Sequence, residues 1–99
     1  MNLNNLFIDT LPTLDLHGYD RETARVAIDD FIKDSYKMGN QYIAIIHGIG
    51  SGVLKETVRE TLSKNKLVKN FILSFENPGC TIVEVRRDLW ENIIIIKWI

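Results

Sequence analysis

Ninety-nine residues, 45% of them hydrophobic and 25% charged, make one globular domain with one modest core and exclude wholesale disorder. A formal net charge of −1 gives the whole molecule no pull toward phosphate backbones, so any nucleic-acid binding has to come from a local patch. The lone cysteine, Cys80, excludes an internal disulfide, and a reducing cytoplasm is the expected setting.

Residues 1–13 read as an N-terminal arm closed by Pro12, without the positive cluster or long apolar run of a signal peptide. Residues 14–16 read as a short strand ended by Gly18. Asp20 is placed to cap the helix that follows, because its short side chain accepts from the free N–H groups of a first turn. From 21 to 38 the apolar positions Ala24, Ala27, Ile28, Phe31 and Ile32 recur at helical spacing, and Gly39 is a natural stop. Residues 42–46 are nearly continuous and β-branched, as in a strand buried on both faces.

A glycine-rich turn, residues 47–52, then leads into a second helix through about Lys64, with Leu54, Val58 and Leu62 on one face. Residues 71–75 and 81–85 read as two strands joined by a Pro78-Gly79 turn. Residues 87–99 form an apolar tail around Ile93 to Ile96 and Trp98. It is too short to span a bilayer as a helix, so no membrane partner is expected, and it is a candidate added edge strand or self-association surface.

The order is therefore β-α-β-α-β-β, an α/β pattern. Helical crossovers imply parallel strands with right-handed connections, and if both run in the same direction across the sheet, both helices cover one face. The carboxyl ends of the first two strands lie at the same edge, with neighbouring strands about 4.8 Å apart. His17 and His47, which end those strands, are therefore expected to be close enough to share one ligand. Ligands of open α/β sheets bind at such an edge.

An imidazole there titrates near neutrality and can give or take a proton. Asp15 precedes His17 by two residues, the period of a strand, so it is placed to orient that ring or to act as a base. Gly48, Gly50 and Gly52 allow close backbone approach at a helix start, which suits a phosphate. Lys55 sits in a first helical turn, where the dipole prefers an acid, and forms a like-charge pair with Arg59 one turn on; an anionic partner explains both. Against this stand plainer readings: a tight strand-to-helix turn, a solvated basic helix face, and Asp15 as an acceptor for nearby backbone groups. The close-spaced Cys/His sets of metal centres are absent. No metal ligand and no cofactor is assigned, with a divalent ion as the alternative.

Leu14-Asp15-Leu16-His17-Gly18 resembles the LDLHG signature of the Smr (small MutS-related) domain. The stretch from His47 to Lys55, HGIGSGVLK, is similar to that family's HGxG motif with its following Leu-basic pair, and GCTIVEV at 79–85 matches its third element. Asn77-Pro78 replaces a glycine pair found in many members, and Ile49 replaces a basic residue. The resemblance, over roughly residues 12 to 86, implies an α/β two-layer sandwich like the C-terminal domain of bacterial translation initiation factor 3. Its mixed four-stranded sheet has the order 1-2-4-3, and the domain is taken as residues 14–86.

It also implies a nuclease acting on RNA, or nicking DNA, in some members on ribosomes. Asp15, His17 and His47 are then the catalytic candidates, and Gly48, Gly50, Gly52, Lys55 and Arg59 the substrate contacts. The alternative is a non-catalytic module that binds nucleic acid or a ribosome through the same turn.

Overall fold

The computed structural model describes Leu3 and residues 7–87. After a 3-10 turn at Ile8–Thr10 come β1 (Thr13–Asp15), α1 (Arg21–Met38), β2 (Tyr42–Ile46), α2 (Val53–Lys64), β3 (Val68–Leu73) and β4 (Cys80–Val85). The sheet order is β1-β2-β4-β3. β1 runs parallel to β2, and β4 lies antiparallel between β2 and β3. This is the mixed four-stranded α/β architecture expected from the sequence.

Local chemistry sets the element ends. The Asp20 carboxylate accepts from the Thr23 N–H at 2.8 Å and starts α1. Gly39, at φ 76°, ends it in the left-handed conformation and donates to Ser35 and Tyr36 carbonyls. Ala24, Ile28 and Ile32 then fall on one stripe, which packs with Val58 and Leu62 of α2 against Leu16, Ile43, Ile45, Val83 and Val85. All ten are buried, and truncating one of the larger ones to alanine costs about 2–5 kcal/mol. The end of α2 is tied to α1 where the Asn65 side chain donates to Asp29 at 3.0 Å.

Three strands differ from expectation in their boundaries. β1 spans Thr13–Asp15 rather than 14–16, because the chain bends away at Asp15, although the Leu16 N–H still donates to Ile46. β4 begins one residue early, at Cys80. β3 begins three residues early and ends at Leu73. Its first half contains exposed Lys69 and Asn70 and a register shift between Val68 and Asn70, as suits an edge strand with one face in water. Phe75, expected in that strand, is 84% exposed in the turn, where the Ser74 hydroxyl accepts from the Glu76 and Asn77 N–H groups.

The apolar tail from 88 onward, and with it the expected added strand or self-association surface, lies outside the described residues, as do residues 1, 2 and 4–6 of the arm. Among the described residues no helix is long and apolar enough to cross a membrane.

Candidate functional site

Asp15 pairs with Ile46 across the parallel ladder, so β1 and β2 end side by side. Alternation then separates the faces. Leu14 and Leu16 pack on the helix side, which puts Asp15 on the opposite side. His47, one residue past Ile46, falls on the helix side instead. Asp15 uses Oδ1 to accept the backbone N–H of His17 at 2.9 Å, a side-chain-to-backbone turn that bends the chain out of β1. The carboxylate therefore fixes the His17 backbone, and the imidazole of His17 is exposed beyond it.

His47 is 8% exposed. Its Nδ1 lies 2.8 Å from the Gly48 carbonyl oxygen. A carbonyl only accepts, so Nδ1 carries the hydrogen. In the neutral ring Nε2 is then an acceptor, and it takes the hydroxyl proton of Thr81 at 3.0 Å. Burial pushes the His47 pKa below the ordinary imidazole value of 6.5; the Gly48 bond opposes this and the Lys55 charge adds to it. The ring is neutral at pH 7.

The glycine loop is held from the far side of the sheet. The N–H groups of His47 and Gly48 both donate to the Gly79 carbonyl, at 2.9 and 3.0 Å. Gly79 is a glycine for space: a Cβ there would meet Gly48 Cα at 3.1 Å. Gly48 and Gly52 are glycines for conformation, with φ of 77° and 85°. Gly52 opens α2 and no side chain caps it, so the first-turn N–H groups are left to solvent or a ligand.

These features border a hollow of about 480 Å³ lined by Tyr19, Asp20, Arg21 and residues 47–55. Of the expected site residues, His47, Gly48, Gly50, Gly52 and Lys55 line it; Asp15 and His17 sit at the neighbouring strand end, outside its lining. Arg59 lies one turn along α2, pairs with Glu56, and borders a separate depression of about 170 Å³ shared with Lys55, Phe71 and Thr81. The sequence reading missed Tyr19, Arg21 and Thr81. Tyr19 follows the LDLHG motif directly, and Arg21 comes two residues later. Thr81 shares helix-side parity with Val83 in the third motif.

Among the described residues no three His, Cys, Asp or Glu side chains gather into a metal cage. Cys80 is buried, which pushes its thiol pKa up and leaves it a packing residue.

The profile of the Smr domain matches residues 14–86. Over 73 residues, 74% of this chain, the sequence is 47% identical to the endonuclease MutS2 of Aquifex aeolicus, and the match covers 10% of that protein. The endonuclease MutS2 of Alkaliphilus metalliredigens is 38% identical over 81 residues, 79% of this chain and again 10% of the relative. The chain thus spans about a tenth of the length of these curated relatives. Among solved structures, the Smr domain of Thermus thermophilus MutS2 superposes with a TM-score of 0.76 at 26% identity, covering 78% of this chain and all of that one. YdaL of Escherichia coli, a stand-alone small MutS-related protein, shares the fold with a TM-score of 0.72 at 21% identity, covering 76% of this chain and 64% of that one.

Proposed function

Because this chain belongs to the Smr domain family, we propose that it is a nucleic-acid endonuclease, and that it cleaves RNA through its own 2′-hydroxyl. The observation that carries this reading is the hollow at the carboxyl ends of β1 and β2. Glycine backbone, the uncapped start of α2 and the cations Arg21 and Lys55 border one space of about 480 Å³, with room for a phosphate and the nucleotide that carries it. Such donors stabilise charge that grows on a phosphoryl oxygen during transfer.

The rim is apolar as well as cationic. Tyr19, Ile49 and Val53 line the same hollow and are 37%, 68% and 44% exposed. A free phosphate has no use for such a rim. A nucleotide whose base has left the stack does, since every base has a flat face to lay on it.

Asp15 and His17 carry the acid–base step. The carboxylate, two residues before the exposed imidazole, takes the 2′-hydroxyl proton, and the 2′-oxygen attacks phosphorus. The bond to the 5′-oxygen breaks, and the His17 imidazolium donates its proton to that leaving oxygen. The products are a 2′,3′-cyclic phosphate and a 5′-hydroxyl. Neither step needs a metal ion.

The test is an RNA with a single 2′-deoxy sugar at the cleaved position. It resists cleavage if the 2′-hydroxyl is the nucleophile; equal cutting points to hydrolysis by water. The internal bond of Asp15 to the His17 N–H favours a second reading, a binding module without catalysis. Asp15→Asn and His17→Ala separate the two: the endonuclease loses cleavage and keeps its affinity for RNA.

A further inference from the structure

Of the two histidines, the one inside the glycine loop is the less able to reach a ligand. His17 is exposed, whereas His47 is buried with both nitrogens engaged within the protein. Nδ1–H donates to the carbonyl of Gly48, a residue in the left-handed conformation. Nε2 accepts from Thr81, which the β2–β4 register sets opposite Ile45, two residues before His47. The backbone N–H groups of His47 and Gly48 converge on Gly79, at the entrance to β4. The start of the loop is thus bound to β4 through one side chain and two amides, and to itself through the ring. Glycines at 48, 50 and 52 would otherwise leave this segment many conformations to lose on binding an anion.

We propose that His47 and Thr81 are a positioning pair that locks the glycine loop in the shape of its anion cradle, and that His47 carries no proton in the reaction. A neutral imidazole has one donor and one acceptor, and here both are spent internally. To act as a base, Nε2 would have to give up the Thr81 hydroxyl inside a buried site, leaving that hydroxyl without its acceptor. The kinetic half of this proposal rests on the endonuclease reading; the structural half does not.

Three variants test it. Thr81→Val keeps the β-branched shape and removes the hydroxyl, Thr81→Ser keeps the hydroxyl, and His47→Gln removes the ionisable ring. Hydrogen exchange of the His47 and Gly48 amides reports the lock, nitrogen NMR of both imidazoles reports tautomer and titration, and kcat/KM against pH reports the chemistry. In the parent protein His47 shows the Nδ1–H tautomer. Thr81→Val speeds exchange of the two amides about tenfold, the equivalent of one hydrogen bond, and Thr81→Ser restores protection.

The pH limbs of kcat/KM stay in place in Thr81→Val, while its rate falls equally across the profile. Unchanged exchange in Thr81→Val overturns the lock. A limb that tracks the titration of His47, and disappears in His47→Gln while the amides stay protected, makes His47 a proton carrier and overturns the assignment. If no RNA is cleaved at all, the endonuclease reading fails, and exchange and tautomer still decide whether the pair holds the loop.

Discussion

Substituting Gly79→Ala tests whether the turn before β4 holds the glycine loop by close contact. The backbone of Gly79 has no positive φ, so alanine is conformationally acceptable and the penalty is one of space alone. Its Cβ would stand 3.1 Å from Gly48 Cα, 3.2 Å from the Gly48 carbonyl carbon and 3.2 Å from Asn77 Oδ1, where ordinary contact begins near 3.4 Å. Two of those neighbours are main chain and cannot swing away, so turn and loop must part by a few tenths of an ångström. That movement stretches the two bonds from His47 and Gly48 to the Gly79 oxygen.

Overpacking of this kind costs about 1–3 kcal/mol, and each kcal/mol lowers Tm by roughly 4–8 °C in a domain of this size. Gly50→Ala is the internal control. No atom lies within 4 Å of its Cβ and its φ is not positive, so stability holds or rises by up to about 1 kcal/mol. Urea denaturation followed by far-ultraviolet circular dichroism compares the two directly. Equal midpoints for Gly79→Ala and Gly50→Ala would refute the close-contact argument.

Asp15→Asn retains an oxygen for the His17 N–H and should leave stability within about 0.5 kcal/mol, while abolishing cleavage; an active Asp15→Asn would remove the carboxylate from the chemistry. Stability should also depend on pH through His47. Burial lowers its folded pKa below 6.5, so in the window between the two values the unfolded chain binds more protons. Its contribution is complete above about pH 6.5, declines as pH falls through that window, and levels off below the folded value. His47→Gln should flatten that slope in urea midpoints taken across the range, and a slope that persists would assign it to other groups. Chelation is expected to leave cleavage unaffected, as a gel assay with and without chelator will show; full loss of activity, restored by a divalent ion, would replace the metal-free scheme.

Much of the sheet was readable because its inner strand and helices obey simple patterns. Ile43 to Ile46 are β-branched or small and flanked by turn residues, and α1 carries both a capping Asp20 and a terminating Gly39. β3 was misplaced for a physical reason. On an edge, Lys69 and Asn70 do not interrupt a strand, while the aromatic Phe75, two residues after Leu73, imitates its continuation. The strand-end motifs pointed to the sheet edge where the hollow lies, yet not to its internal wiring. Whether the Asp15 carboxylate meets a ring or a backbone N–H depends on how sharply the chain bends after β1. The Thr81–His47 bond joins residues 34 apart in sequence, and it exists because β2 and β4 pair in one particular register; nothing local to either residue announces it.

The carbonyl of Gly79 that gathers the His47 and Gly48 amides reaches them from the last hairpin of the described fold. A chain emerging from synthesis can pair β1 with β2 and lay down both helices well before that oxygen exists nearby. Until β4 pairs with β2, the segment after β2 lacks the Gly79 carbonyl that gathers its two amides. Completion of the sheet therefore acts as an ordering event, and partly folded chains are kept from presenting a finished cradle. The two amides should accordingly gain protection from exchange only once β4 has paired with β2.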